Sequence, residues 1–221
     1  MTARAIRNYG HVLADFVMVA SLSPEELLRS VEIEHRHHAD LALAAGRGCI
    51  MAVPHMGSWD VAGSYAAVLG YRVAAVAERF PASLDAAVVG AREKFGLRII
   101  PLGRSAVRTV LSALAENSVV ALLCDLPHGP GVEVDFFGRR ATVPSGPAAL
   151  ACRAGCPLLP AYVRATGPGR YRIHLDRPIP TEGRCGGKDA AARLMQEVVQ
   201  RFEVFIRDHP DQWFAFRPVF R

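Results

Sequence analysis

Apolar and polar positions along the chain switch between two periods, and the switches come in a regular order. Between about residues 21 and 164, stretches with apolar side chains every three or four positions are followed by short unbroken apolar runs. That is the pattern of helices crossing between buried parallel strands. Ser23-Pro24-Glu25-Glu26 puts Ser at an N-cap, Pro at the first helical position and Glu three residues after the cap, predicting a helix from there to Gly46. Strands are predicted at 49–54, 73–77, 97–101, 119–124 and 158–164, with helices over 59–69, 83–95, 107–116 and 145–154; Gly70, Gly96 and Gly155 follow three of these helices as C-caps. Residues 132–137 and 141–143 flank Gly138-Arg139-Arg140 and predict a small hairpin. The weaker alternation at 171–175 predicts a strand at a sheet edge, and 188–208 reads as one long amphipathic helix.

The expected fold is therefore α/β: a single domain with a mostly parallel central sheet flanked by helices. It divides into a helical part at about 1–46, an α/β core at about 47–180 and a C-terminal helix at about 188–209, with no linker and no internal repeat. The 221 residues suffice for one sizeable core. A hydrophobic share of 51% spread through the chain excludes disorder and low complexity. No apolar run approaches the roughly 20 residues needed to cross a bilayer. Residues 1–10 lack the apolar core of a signal peptide, which argues against secretion.

Lys and Arg number 26 against 21 Asp and Glu, so the net charge of +5 is only modestly basic. Without a helix-turn-helix signal or an aromatic-studded sheet motif, it does not point to nucleic acid. The five cysteines, Cys49, Cys124, Cys152, Cys156 and Cys185, form no C-x-x-C pair, and three lie in apolar segments. They are expected to be reduced packing residues. Cys152 and Cys156 share a helical turn, but no further ligands stand near them in sequence to complete a metal site. The run His35-Arg36-His37-His38 is equally short of partners, and no bound metal is expected.

Candidate chemistry concentrates in His55-Met56-Gly57-Ser58-Trp59-Asp60, between a predicted buried strand and a helix. Open α/β sheets bind ligands at the carboxyl ends of their strands. Inside one helix, five steps of about 100° would turn His55 and Asp60 away from each other, so His55 must precede the helix. A carboxylate in the first turn can then orient the imidazole and stabilise the imidazolium formed on proton uptake. The plainer reading is that Ser58 caps the helix and Asp60 answers its dipole.

The stretch Ala52-Val53-Pro54-His55-Met56-Gly57-Ser58-Trp59-Asp60-Val61-Ala62-Gly63 resembles the first motif of the bacterial lipid A acyltransferases and, more closely, of the phosphatidylinositol mannoside acyltransferases. Further blocks similar to the family's follow in order: Val76-Ala77-Glu78-Arg79-Phe80, Ala91-Arg92-Glu93-Lys94-Phe95-Gly96, Asp125 in its loop, Gly131-Val132-Glu133-Val134-Asp135-Phe136-Phe137-Gly138, and Pro144-Ser145-Gly146-Pro147-Ala148. Ser58 stands where the family usually has Asn, and the family's chains are longer at the N-terminus.

The resemblance implies a glycerolipid-acyltransferase-like fold and direct transfer of an acyl group from a thioester to a glycolipid hydroxyl. His55 would be the general base, with Asp60 or Glu133 as its carboxylate partner. Acyl coenzyme A or acyl carrier protein would be co-substrate, with no other cofactor. Glu78 matches a position in the active site, and Glu78, Ser58 and Asp125 are expected to contact substrate. Arg79, Arg92 and Arg139 fall within matching blocks, where guanidinium forks suit phosphates. The implied location is the cytoplasmic side, peripheral on the inner face of the cell membrane. Trp213, Phe214, Phe216 and Phe220, near Arg217 and Arg221, suit either a headgroup layer or the core. The same fold also serves a thioester hydrolase or a silent lipid-binding relative; no G-x-S-x-G elbow is present.

Overall fold

The computed structural model describes residues 2–78, 82–129 and 131–220, with backbone alone at 82–87. Seven strands form one sheet in the order β1-β9-β8-β2-β5-β3-β4: β1 (Val31–Glu34), β2 (Cys49–Val53), β3 (Val73–Ala77), β4 (Arg98–Pro101), β5 (Val119–Leu123), β8 (Leu158–Gly167) and β9 (Arg170–Leu175). Every neighbouring pair is parallel except β8 with β9, which run antiparallel. A separate hairpin pairs β6 (Gly131–Phe136) with β7 (Arg139–Pro144). The helices are α1 (Thr2–Met18), α2 (Pro24–Ser30), α3 (His37–Leu43), α4 (Trp59–Val68), α5 (Ala82–Glu93), α6 (Ala106–Ala115), α7 (Gly146–Ala154) and α8 (Ala190–Asp208).

Side chains alternate across a strand, and β2 shows what this does to the core. Ile50 and Ala52 join α6, α7, α8 and the hairpin on one face, whereas Cys49 and Val53 join α2, α3 and α4 on the other. Both faces are covered, as a parallel sheet requires. A third small cluster, Val12, Phe16, Val88 and Phe214, ties α1 and α5 to the C-terminal segment.

The helix predicted from Ser23 to Gly46 is instead two helices around a strand. Its start is as expected: Ser23 Oγ accepts from the Glu26 amide at 3.2 Å, and the Glu26 carboxylate accepts from the Ser23 amide at 2.7 Å. The chain leaves the helix at Val31 because Val31-Glu32-Ile33-Glu34 alternates with period two and finds a partner. Glu32 lies opposite Arg172 and Glu34 opposite His174, each pair bonded at 3.0 Å. As a result β9 lies inside the sheet and β1 forms the edge. Expected reduction fails for one pair of cysteines: Cys152 and Cys185 form a disulfide joining α7 to the loop before α8. Cys49, Cys124 and Cys156 are free and buried.

Candidate active site

β2, β5 and β3 are neighbours, and their carboxyl ends deliver His55, Asp125 and Glu78 to one rim of the sheet. Register sets the first two. Val53 pairs with Leu123, so His55 and Asp125 each stand two residues past the same rung. Gly57 makes the turn after His55 with φ of +59°, and a Cβ there would lie 2.1 Å from the Val163 carbonyl oxygen. Only glycine fits both the conformation and the approach.

Asp125 is fully buried and accepts three hydrogen bonds. Oδ1 takes the His55 amide at 3.0 Å and faces His55 Nδ1 at 2.7 Å, and Oδ2 takes the Trp213 indole N–H at 2.7 Å. A carboxylate only accepts, so Nδ1 carries the proton, and in the neutral ring Nε2 is then the nitrogen with the lone pair. The imidazole side chain is 28% exposed, within reach of solvent. Trp59 meets it edge-on, with ring centroids 5.7 Å apart.

The C-terminal segment closes over this loop. The Phe214 amide donates to the His55 carbonyl at 2.8 Å and the Gly57 amide to the Gln212 carbonyl at 3.1 Å. Phe214 is accordingly buried, while Phe216 stays exposed. Sequence reasoning missed Trp213 as a site residue, because nothing local links it to residue 125.

The other expected site residues are placed differently. Asp60 turns away from His55 and forms a buried two-pronged ion pair with Arg92, Nε to Oδ1 and Nη2 to Oδ2, the latter at 3.2 Å. Burial raises the Asp60 carboxyl above its ordinary value while the Arg92 guanidinium pulls it down. Held in this way, Arg92 has no open fork for a phosphate; it locks α4 to α5.

Glu133 is not a partner of His55 either. Val134 and Phe136 point into the core, so strand alternation turns Glu133 outward, where it sits 4.0 Å from Arg140. Asp125, expected to meet substrate, is the carboxylate that meets His55. Ser58 stands at the N-cap of α4 without a side-chain capping bond and is buried. Glu78 is exposed at the rim, 3.4 Å from His128 Nδ1. The Arg139 guanidinium lies 4.8 Å above the Phe220 ring. Arg79 lies outside the described residues.

Two clefts, of about 380 and 190 Å³, open at the opposite, amino ends of the strands; Arg47 and Leu114 line the larger, Arg72 and Ser118 the smaller. Among the described residues no group of three His, Cys, Asp or Glu is placed to hold a metal. His38 Nδ1 is bonded instead to the Leu175 carbonyl at 2.9 Å.

A family model described as bacterial lipid A biosynthesis acyltransferase matches residues 1–221. The phosphatidylinositol mannoside acyltransferase of Mycobacterium tuberculosis (strain CDC 1551 / Oshkosh) is 33% identical over 225 residues, covering 97% of this chain and 68% of that protein. Its namesake from Mycolicibacterium smegmatis is 33% identical over 199 residues, covering 87% and 62%. The crystal structure of the 1-acyl-sn-glycerophosphate acyltransferase of Thermotoga maritima superposes with a TM-score of 0.52 over 91% of this chain and 97% of its own; at 14% identity this likeness concerns the fold alone. Matched along its whole length by the family model and over nearly all of it by the mycobacterial relatives, the chain belongs to the bacterial lipid A biosynthesis acyltransferase family and is an acyltransferase.

Proposed function

We propose that the chain moves a fatty acyl group from an acyl thioester, on coenzyme A or acyl carrier protein, to a hydroxyl of a membrane glycolipid such as phosphatidylinositol mannoside, with His55 as general base. The observation that carries this reading is the imidazole whose Nδ1 is held by the buried Asp125 carboxylate while the ring stays partly open. In this scheme His55 Nε2 takes the proton of the acceptor hydroxyl as its oxygen attacks the thioester carbonyl. The tetrahedral adduct collapses, the carbon–sulfur bond breaks, and the imidazolium returns the proton to the leaving thiolate. The amides that open α4 supply donors for the oxyanion. The name of the mycobacterial relatives, phosphatidylinositol mannoside acyltransferase, supports the acceptor class.

An approach to an anionic inner leaflet agrees with α1, where Ile6, Leu13 and Val17 are exposed on one flank at spacings of seven and four. Net charge of +5 acts in the same direction. No helix among the described residues is long and apolar enough to cross a membrane.

The test is incubation with radiolabelled palmitoyl coenzyme A and mannosylated phosphatidylinositol. Label is expected in glycolipid, and is expected to disappear in His55→Ala at nearly unchanged melting temperature. Label only in free fatty acid would identify a hydrolase. Full transfer by His55→Ala would end the general-base reading.

A further inference from the structure

Asp125 has no access to solvent, so protein donors must satisfy both of its oxygens. Oδ1 is shared by the amide and the ring of His55, and Oδ2 is met by the Trp213 indole N–H at 2.7 Å. Indole is a donor with no acceptor of its own, so it fixes Oδ2 as an acceptor and with it the plane of the carboxyl group that faces His55.

The indole is itself fixed from three directions. Trp213 bridges Met56 in antiparallel fashion, which sets its backbone against the His55 loop. Beside it the Gln212 amide accepts from the Ala165 amide at 2.8 Å and donates to the Ala165 carbonyl at 2.9 Å, fastening the segment to β8. The rings of Phe136 and Phe137, from the hairpin, lie 5.7 and 6.1 Å from the indole and set its tilt.

We infer that Trp213 is a positioning residue for the transfer reaction: its N–H orients the Asp125 carboxylate, which in turn aims the His55 ring and fixes its tautomer. This rests on the general-base reading above. It makes the C-terminal segment part of the apparatus that prepares the base, although that segment contributes no group to the reacting atoms.

The experiment is Trp213→Phe, which keeps an aromatic ring and removes the donor. With melting temperature and circular dichroism as controls, kcat is expected to fall about ten- to a hundredfold, the range for a lost hydrogen bond to a buried charge, while KM for palmitoyl coenzyme A stays within about twofold. The low-field proton resonance of the His55 Nδ1–H···Asp125 bond is expected to shift or broaden. Wild-type kcat, or a fall in kcat with that resonance unmoved, overturns the inference.

Should Trp213→Phe fail to fold, the intact segment decides, using Trp59→Phe to leave a single indole signal. That signal is expected to move in step with the titration of the His55 ring, because both hydrogens sit on one carboxylate. A flat indole signal overturns the inference. His55→Ala separates the two ideas. Transfer that survives it removes the general base, whereas an inactive His55→Ala beside a wild-type Trp213→Phe removes only the role given to Trp213.

Discussion

His55 Nδ1 lies 2.7 Å from Asp125 Oδ1, across 70 residues of sequence. Backbone hydrogen bonding between β2 and β5 holds the two residues level. The imidazole is therefore oriented from the interior of the sheet, and the loops beyond need only leave its other nitrogen accessible.

Asp125→Asn is expected to lower kcat about 10²- to 10⁴-fold, the range for losing a working general base. An amide N–H turned toward Nδ1 favours the tautomer with its proton on Nε2, which cannot accept one from substrate. Glu133→Gln, on an exposed position near Arg140, is expected to stay within about twofold of wild type. Steady-state acyl transfer by both variants checks the contrast; similar losses would contradict it.

Asp60→Asn removes the carboxylate that pairs with the buried Arg92 guanidinium. The expected cost is about 3–5 kcal/mol in unfolding free energy. Removing both charges in Asp60→Asn/Arg92→Met is expected to recover a large part of it. A double-mutant cycle by urea denaturation measures the coupling, and strictly additive losses would show that the pair does not act as a unit.

Burial raises the Asp15 carboxyl above its ordinary 3.8, against a hydrogen bond from the Tyr171 hydroxyl. Between 3.8 and the raised native value the folded chain therefore holds a proton that the unfolded chain has released. Stability contributed by this group is complete below 3.8, falls as pH rises through that window, and is level above it. Asp15→Asn, still able to accept from Tyr171, is expected to flatten that slope in urea denaturation at a series of pH values. An unchanged slope would assign it to other groups.

The Cys152–Cys185 disulfide closes a loop of 33 residues. Its reduction is expected to cost about 2–4 kcal/mol of stability and to leave transfer nearly unchanged, because α7 ends at the side of the sheet away from His55. Alkylation of the native protein followed by mass measurement is expected to label none of the buried Cys49, Cys124 and Cys156, and two further thiols after mild reduction. Labelling of Cys152 before reduction would exclude the bridge.

Much of this architecture was legible in hydrophobic periodicity. The strand predicted at 73–77 is β3 itself, and β2 and β5 each end one residue short of their predicted limits, at Val53 and Leu123. Where the reading failed, the deciding partner was remote. Val31-Glu32-Ile33-Glu34 carries a two-residue alternation, but four residues after a well-capped helix read as its continuation until Arg172 and His174 are placed beside them. His55 stood out because it follows a buried strand. Its carboxylate did not, because Asp60 is near in sequence and Asp125 is near only once β2 and β5 are known to be neighbours. Glu133 shows the converse: its block resembles the family's, but the alternation of its own strand turns it to solvent.

The closure of residues 212–214 over the His55 loop also bears on biosynthesis. A ribosome releases the loop long before the segment that fastens it, so a nascent chain can have its sheet in place while the imidazole's surroundings are still open. Site assembly then waits for residues 212–214 to be made, and an arrested product that stops before Gln212 would carry the sheet with an unfinished centre.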